Sequence, residues 1–120
     1  MRISDCIKKL ASAAAFAVFI VPAAHSQTLY KSGSAERADV KVCPVENVNR
    51  ADLVVYVTQY SHRAIGNKGI WFLTDREADA CKSIYFTNNE WSADIKVFFT
   101  IHENEAGWRN KSKKHLLDCE

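Results

Sequence analysis

The chain lacks most of what would declare an activity. It has no Gly-x-Ser-x-Gly, no His-Glu-x-x-His and no glycine-rich phosphate loop, so the usual hydrolase, zinc-protease and nucleotide signatures are absent. No apolar run reaches the roughly 20 residues that cross a bilayer. After residue 30 no segment carries a helical apolar stripe. Net charge is missing too: without Arg2, Lys8, Lys9 and Asp5 of the leader, 13 basic and 13 acidic residues remain. That balance gives no electrostatic reason to expect nucleic acid or an anionic membrane as partner. No cofactor is expected either.

What is present begins with a leader. Arg2, Lys8 and Lys9 form a positive start, residues 10–21 an apolar core, and Pro22 breaks that core before Ala24-His25-Ser26. Small residues at the two positions a signal peptidase reads make residues 1–26 a secretory signal peptide, and the mature chain secreted or periplasmic. No cysteine follows the apolar core, so no lipid anchor is expected. The mature chain, about 94 residues from Gln27, is one domain that buries about two-thirds of its unfolded surface.

That domain repeats one short unit. Ala38-Asp39-Val40-Lys41-Val42-Cys43, Ala51-Asp52-Leu53-Val54-Val55-Tyr56-Val57-Thr58 and Ala93-Asp94-Ile95-Lys96-Val97-Phe98-Phe99-Thr100 align directly. A third copy starts at Ala64, loses its Asp, inserts Gly66-Asn67-Lys68-Gly69 and recovers at Ile70-Trp71-Phe72-Leu73-Thr74. The fourth reads from Ala78-Asp79 with two extra residues, Ala80-Cys81, and a sixth opens at Ala106. The starting alanines are 13, 13, 14, 15 and 13 residues apart, and four Ala-Asp pairs occur where chance gives about one. Within each copy apolar residues alternate, as in a strand with one buried face: Leu53, Val55 and Val57, or Ile95, Val97 and Phe99. An all-β fold of repeated short strands follows, over residues 37–110. Residues 27–36, polar and serine-rich, read as a flexible N-terminal arm, and residues 111–120 as a basic C-terminal tail.

Three cysteines remain after export: Cys43, Cys81 and Cys119. An oxidising compartment predicts one disulfide and one thiol left over, free or available to join two chains as a dimer. Loop length does not choose the pair, because Cys43 to Cys81 and Cys81 to Cys119 each span 38 residues.

The repeated Ala-Asp starts, Gly69-Ile70-Trp71-Phe72, Lys82-Ser83-Ile84-Tyr85-Phe86 and the closing Ala106-Gly107-Trp108-Arg109-Asn110-Lys111-Ser112 together resemble a small uncharacterised family. It contains the β-protein with a seven-crossing, or septoil, knot. The resemblance covers about residues 37–117 and implies a compact, deeply knotted all-β domain with no assigned activity. Two departures from its pattern, Cys43-Pro44 and Ala80-Cys81, both carry cysteine and fit an adaptation to export.

Candidate chemistry is sparse. His62, His102 and His115 each stand alone in polar segments. Cys81 with His62 or His102 would make a thiol enzyme, but oxidation removes the thiol. Scattered Cys and His lack zinc-ligand spacing. Asp39, Asp52, Asp79 and Asp94 could converge on Ca²⁺, a cation that takes several oxygens. The simpler role is local, each carboxylate accepting nearby backbone N–H groups and fixing its own turn. Trp71, Trp91 and Trp108 invite carbohydrate or peptide binding, although aromatic side chains in a β-array more often pack. The expectation is an exported, non-enzymatic structural or binding domain. A small exported thiol enzyme or hydrolase, and a Ca²⁺- or carbohydrate-binding module, are the alternatives.

Overall fold

A computed structural model describes residues 26–119. Apart from Ser26, the expected signal peptide lies outside the described residues. Among those residues no helix is long and apolar enough to cross a membrane. The fold is all-β: its helical pieces are short 3-10 turns and a longer 3-10 helix, Lys111–Leu117.

Six parallel strands form a closed barrel. They are β1 (Thr28–Lys31), β2 (Val40–Pro44), β3 (Leu53–Val57), β4 (Ile70–Thr74), β5 (Lys82–Phe86) and β6 (Ile95–Phe99). Around the barrel they lie in the order β4-β1-β5-β2-β6-β3, and β3 pairs with β4 to close the ring. Each strand lands two places beyond the one before it, except β4, which lands directly beside β3, and the chain goes round the axis about twice. A seventh strand, β7 (Gly107–Trp108), runs antiparallel to β3. Closure leaves no long unpaired edge in the barrel.

The period-two pattern holds in the strand interiors, but Val57 and Phe99, expected on the buried face, lie at the strand ends and are exposed. Leu29, Val40, Val42, Leu53, Val55, Trp71, Ile84, Ile95 and Val97 point inward and form one core, with Leu117 of the terminal helix. In β6, Ile95 and Val97 are fully buried, while Lys96 and Phe98 on the other face are half-buried.

Connectors carry the chain from a strand's end back to the start of the next. All but the β2–β3 connector open with a side chain that accepts the N–H two residues on, such as Thr58 Oγ1 from Tyr60 at 3.2 Å, Thr87 Oγ1 from Asn89 at 3.1 Å and Thr100 Oγ1 from His102 at 3.1 Å. These local bonds reverse the chain without glycine. Most connectors then make a 3-10 turn, closed by the N–H of the unit's alanine, as Ala51 to the Val48 carbonyl at 3.1 Å. Ala51 and Ala64 are buried there, where the chain turns back against the barrel.

The strand register corrects the repeat. Ala80, not Ala78, closes its 3-10 turn, and Cys81 N–H donates to the Thr28 carbonyl at 2.8 Å. Asp39, Asp52 and Asp94 N–H donate in the same way to Ser83, Lys96 and Lys41. Cys81 therefore occupies the aspartate slot, and the fourth unit has no insertion. The irregularity sits in the third unit, between Ala64 and Thr74. Its Gly69 is required: with φ +86° it lies where a Cβ would come within 2.5 Å of the Val54 carbonyl and 3.0 Å of Gly107 N. Here β3 passes from pairing with β7 to pairing with β4.

Both ends of the chain depart from expectation. Residues 27–36 are not a loose arm, because Thr28–Lys31 is a central strand between β4 and β5 and Leu29 is fully buried. The described part of the expected basic tail, residues 111–119, is not loose, because Lys111–Leu117 is helical and Leu117 enters the core. Burying one leucine outweighs the polarity of a segment whose basic side chains still reach water.

Candidate functional site

Three of the four singled-out aspartates do one job. Asp39 Oδ2 accepts Ser83 N–H at 2.9 Å, Asp52 Oδ2 accepts Lys96 N–H at 3.0 Å, and Asp94 Oδ2 accepts Lys41 N–H at 2.9 Å. Each also donates its own N–H to the carbonyl of the same partner, at 2.9, 2.7 and 2.7 Å. The aspartate thus clasps the neighbouring strand at its second residue. The expected local turn is corrected: the bonded partner is 44 to 53 residues away in sequence. Asp79 does not belong to this set. It lies in an exposed 3-10 turn and pairs with Arg76 at 3.2 Å. Among the described residues no three His, Cys, Asp or Glu side chains gather as a metal site would require.

Asp52 carries more than the other two. Its Oδ2 lies 3.2 Å from Lys113 Nζ, its Oδ1 accepts from Asn110 Nδ2 at 3.3 Å, and its carbonyl receives Arg109 and Asn110 N–H. Burial pushes its carboxyl pKa up, but the Lys96 N–H, the Lys113 ammonium and the Asn110 amide outweigh that. The carboxyl ends below its ordinary value.

The strand-start end of the barrel is sealed by the terminal helix. Asn67 Oδ1 accepts from Gln27 Nε2 and Trp108 Nε1, and its Nδ2 donates to the Lys114 carbonyl at 2.8 Å. Gln27 Nε2 also reaches the Leu117 carbonyl at 2.9 Å. A disulfide joins Cys81 to Cys119, with 5.4 Å between their Cα atoms. The opposite mouth is rimmed by Lys31, Val57, Phe86 and Phe99, with the Lys31 ammonium 5.7 Å over the Phe86 ring.

Of the three cysteine candidates, Cys81 and Cys119 pair and Cys43 stays reduced and buried at 3% exposure. A thiol so covered cannot link two chains in the native fold, which removes the expected route to a dimer. Burial, then the Glu90 carboxylate, push the Cys43 pKa up against Lys96 and Arg50, so the thiol is held protonated and weakly nucleophilic. His62, His102 and His115 are exposed on separate connectors and the terminal helix.

The tryptophans divide. Trp71 is fully buried, its ring edge-on to Phe99, and Trp108 is half-buried beneath Asn67. Trp91 is 97% exposed. It stands beside an open recess of about 640 Å³, lined also by Arg50, Asn88, Asn89, Glu90 and Lys96. Arg50 and Glu90 form an ion pair across the recess. Sequence reasoning named Trp91 but not these polar neighbours. Lys96 reaches it from β6, and Arg50 from another connector that the pairing of β3 with β6 brings alongside.

The chain shares its pattern with one known family: residues 26–109 match the 7(1) septoil knot domain. No curated protein and no solved structure matches it.

Proposed function

Because the chain belongs to the septoil knot domain family, we propose that it is an exported, non-enzymatic barrel that binds a partner through its connectors and whose backbone closes into the seven-crossing knot. One observation carries the functional reading. The side chains best suited to chemistry are already committed to the framework: Asp39, Asp52 and Asp94 clasp strands, and Cys81 is bonded to Cys119. Of the large aromatics among the described residues, Trp91 is the most fully turned to solvent.

The winding supports the knot. Each unit rises as a strand and returns over the outside as a connector, and successive strands advance two places round the ring, except from β3 to its direct neighbour β4. Repeated passes about one axis in two circuits are the kind of path from which a torus-type knot is built. Untying it requires a terminus to retreat through closed loops, so unfolding of the reduced protein should be slow for so small a core. An experimental backbone that simplified to an unknotted curve when closed through its termini would remove this part.

Export and lack of turnover are tested separately. Expression of the full chain in a secreting host should yield mature protein beginning near Gln27. Intact chain confined to the cytoplasm would refute export. Purified mature protein should leave chromogenic ester, amide and glycoside substrates unchanged. Turnover abolished by Cys43→Ser, His62→Ala or His102→Ala would establish the thiol-enzyme or hydrolase alternative.

A further inference from the structure

The repeat supplies its own internal control for Trp91. Two residues before the alanine that ends each connector, the other connectors carry Glu36, Asn49, His62, Ala78 and Asn104, and all of these are exposed. The position therefore points outward in every unit, and no unit's packing asks for an aromatic there. An indole at this slot is an addition to the framework, not a part of it.

The local backbone holds that indole ready. Thr87 Oγ1 accepts Asn89 N–H at 3.1 Å, Asn89 Oδ1 accepts Trp91 N–H at 2.9 Å, and Ser92 Oγ donates to the Asn89 carbonyl at 3.2 Å. This connector makes a hydrogen-bonded turn at residues 90–92, where the others make a 3-10 turn. The Arg50–Glu90 ion pair ties it to the neighbouring connector. A side chain presented on a loop fixed in this way loses little freedom when it binds.

From this arrangement we propose that the recess beside Trp91 is a glycan-binding site, with a pyranose ring stacked on the indole and its hydroxyls bonded by Arg50, Asn88 and Glu90. This inference rests on the reading of the protein as a non-enzymatic binding module. The chemistry of the lining selects the ligand. One open aromatic face suits the C–H face of a sugar, and planar guanidinium, carboxylate and amide groups suit paired hydroxyls. An apolar peptide anchor would find no pocket, since every other lining residue is polar. A phosphate backbone would find little attraction, because Glu90 neutralises Arg50 and leaves Lys96 as the unpaired cation of the lining.

The test is a titration of the mature protein with cellotetraose, chitotetraose and maltotetraose, followed by the indole N–H signals in ¹H–¹⁵N spectra. At least one sugar should shift the Trp91 signal saturably while Trp71 and Trp108 stay in place. Trp91→Ala should weaken binding by about tenfold or more, and Arg50→Ala should weaken it while the other two indole signals keep their native positions. The proposal fails if no sugar shifts Trp91 up to about 10 mM, a weak limit for any specific site. It fails equally if binding survives in Trp91→Ala, or if a proline-rich decapeptide shifts Trp91 where the sugars do not. Those failures would leave the non-enzymatic reading standing. Release of shorter sugars by the protein would overturn both, since the proposal is one of binding without turnover.

Discussion

Asn67 joins two residues that lie 40 positions before it and 41 after it. Its Oδ1 accepts from Gln27 Nε2 at 3.1 Å and from Trp108 Nε1 at 3.0 Å. The first strand, the long connector and the last strand are thereby fixed to one atom. Removing it leaves the Trp108 N–H without a partner in a half-buried site, so Asn67→Ala should cost about 2 kcal/mol. Asn67→Asp keeps the acceptor but replaces the donor to the Lys114 carbonyl with a second acceptor oxygen, which must turn away, and should cost about 1 kcal/mol. Urea unfolding measures both, and equal losses would show that the shared acceptor is unimportant.

The aspartate clasps should be coupled, not independent. Asp52 holds Lys96 on β6, and Asp94, immediately before that strand and two residues from Lys96, holds Lys41 on β2. Each of Asp52→Ala and Asp94→Ala should destabilise by about 1–2 kcal/mol, and the double mutant should depart from their sum by more than about 0.5 kcal/mol. Millimolar Ca²⁺ should leave the melting temperature unchanged. A Ca²⁺-dependent rise lost in both mutants would make these residues metal ligands after all.

Acid should reveal the Asp52 cluster. Its folded pKa lies below the unfolded value of about 3.9, so folding favours the charged form. The stability it contributes is complete above about pH 4 and is lost as pH falls through the folded value. Asp52→Asn should flatten this part of the acid limb in a series of melts. Lys113→Met should flatten it in part. An acid limb unchanged by either substitution would place the depressed carboxylate elsewhere.

The disulfide and the free thiol should behave oppositely. Alkylation and mass spectrometry of exported protein should find Cys81 joined to Cys119 and Cys43 labelled only after unfolding. Cys119→Ala should cost up to about 4 kcal/mol, the loop-closure value for a 38-residue separation. Rapid labelling of Cys43 in the native protein would contradict its burial.

Much of the barrel was legible because its units are local and alternate strictly. The strands β2, β3 and β6, with their inward residues, follow from the Ala-Asp starts and period two. What escaped had specific causes. β1 has no Ala-Asp opener, since Ser26-Gln27 precede it, so a central strand read as an arm. Ala78-Asp79 imitate the signature while belonging to the 3-10 turn, and this hid Cys81 in the aspartate slot. The terminal helix offered Leu116 and Leu117 within a basic stretch, too little to show that Leu117 would be buried. The Trp91 recess depended on side chains from two connectors and a strand, which no single segment contains.

The interleaving of the two circuits also fixes how this molecule can change in length. An open solenoid gains or loses a unit without disturbing the others, because each unit touches only its neighbours in sequence. Here every strand lies between partners from the other circuit. Deleting one 13-residue unit would send each later strand into a slot between different neighbours, with its clasp aimed at the wrong backbone. Growth is therefore confined to the connectors, as the longer third unit between Ala64 and Thr74 already illustrates. The copy number is locked by the path of the chain, so variation among relatives should appear as longer or shorter straps around an unchanged set of strands.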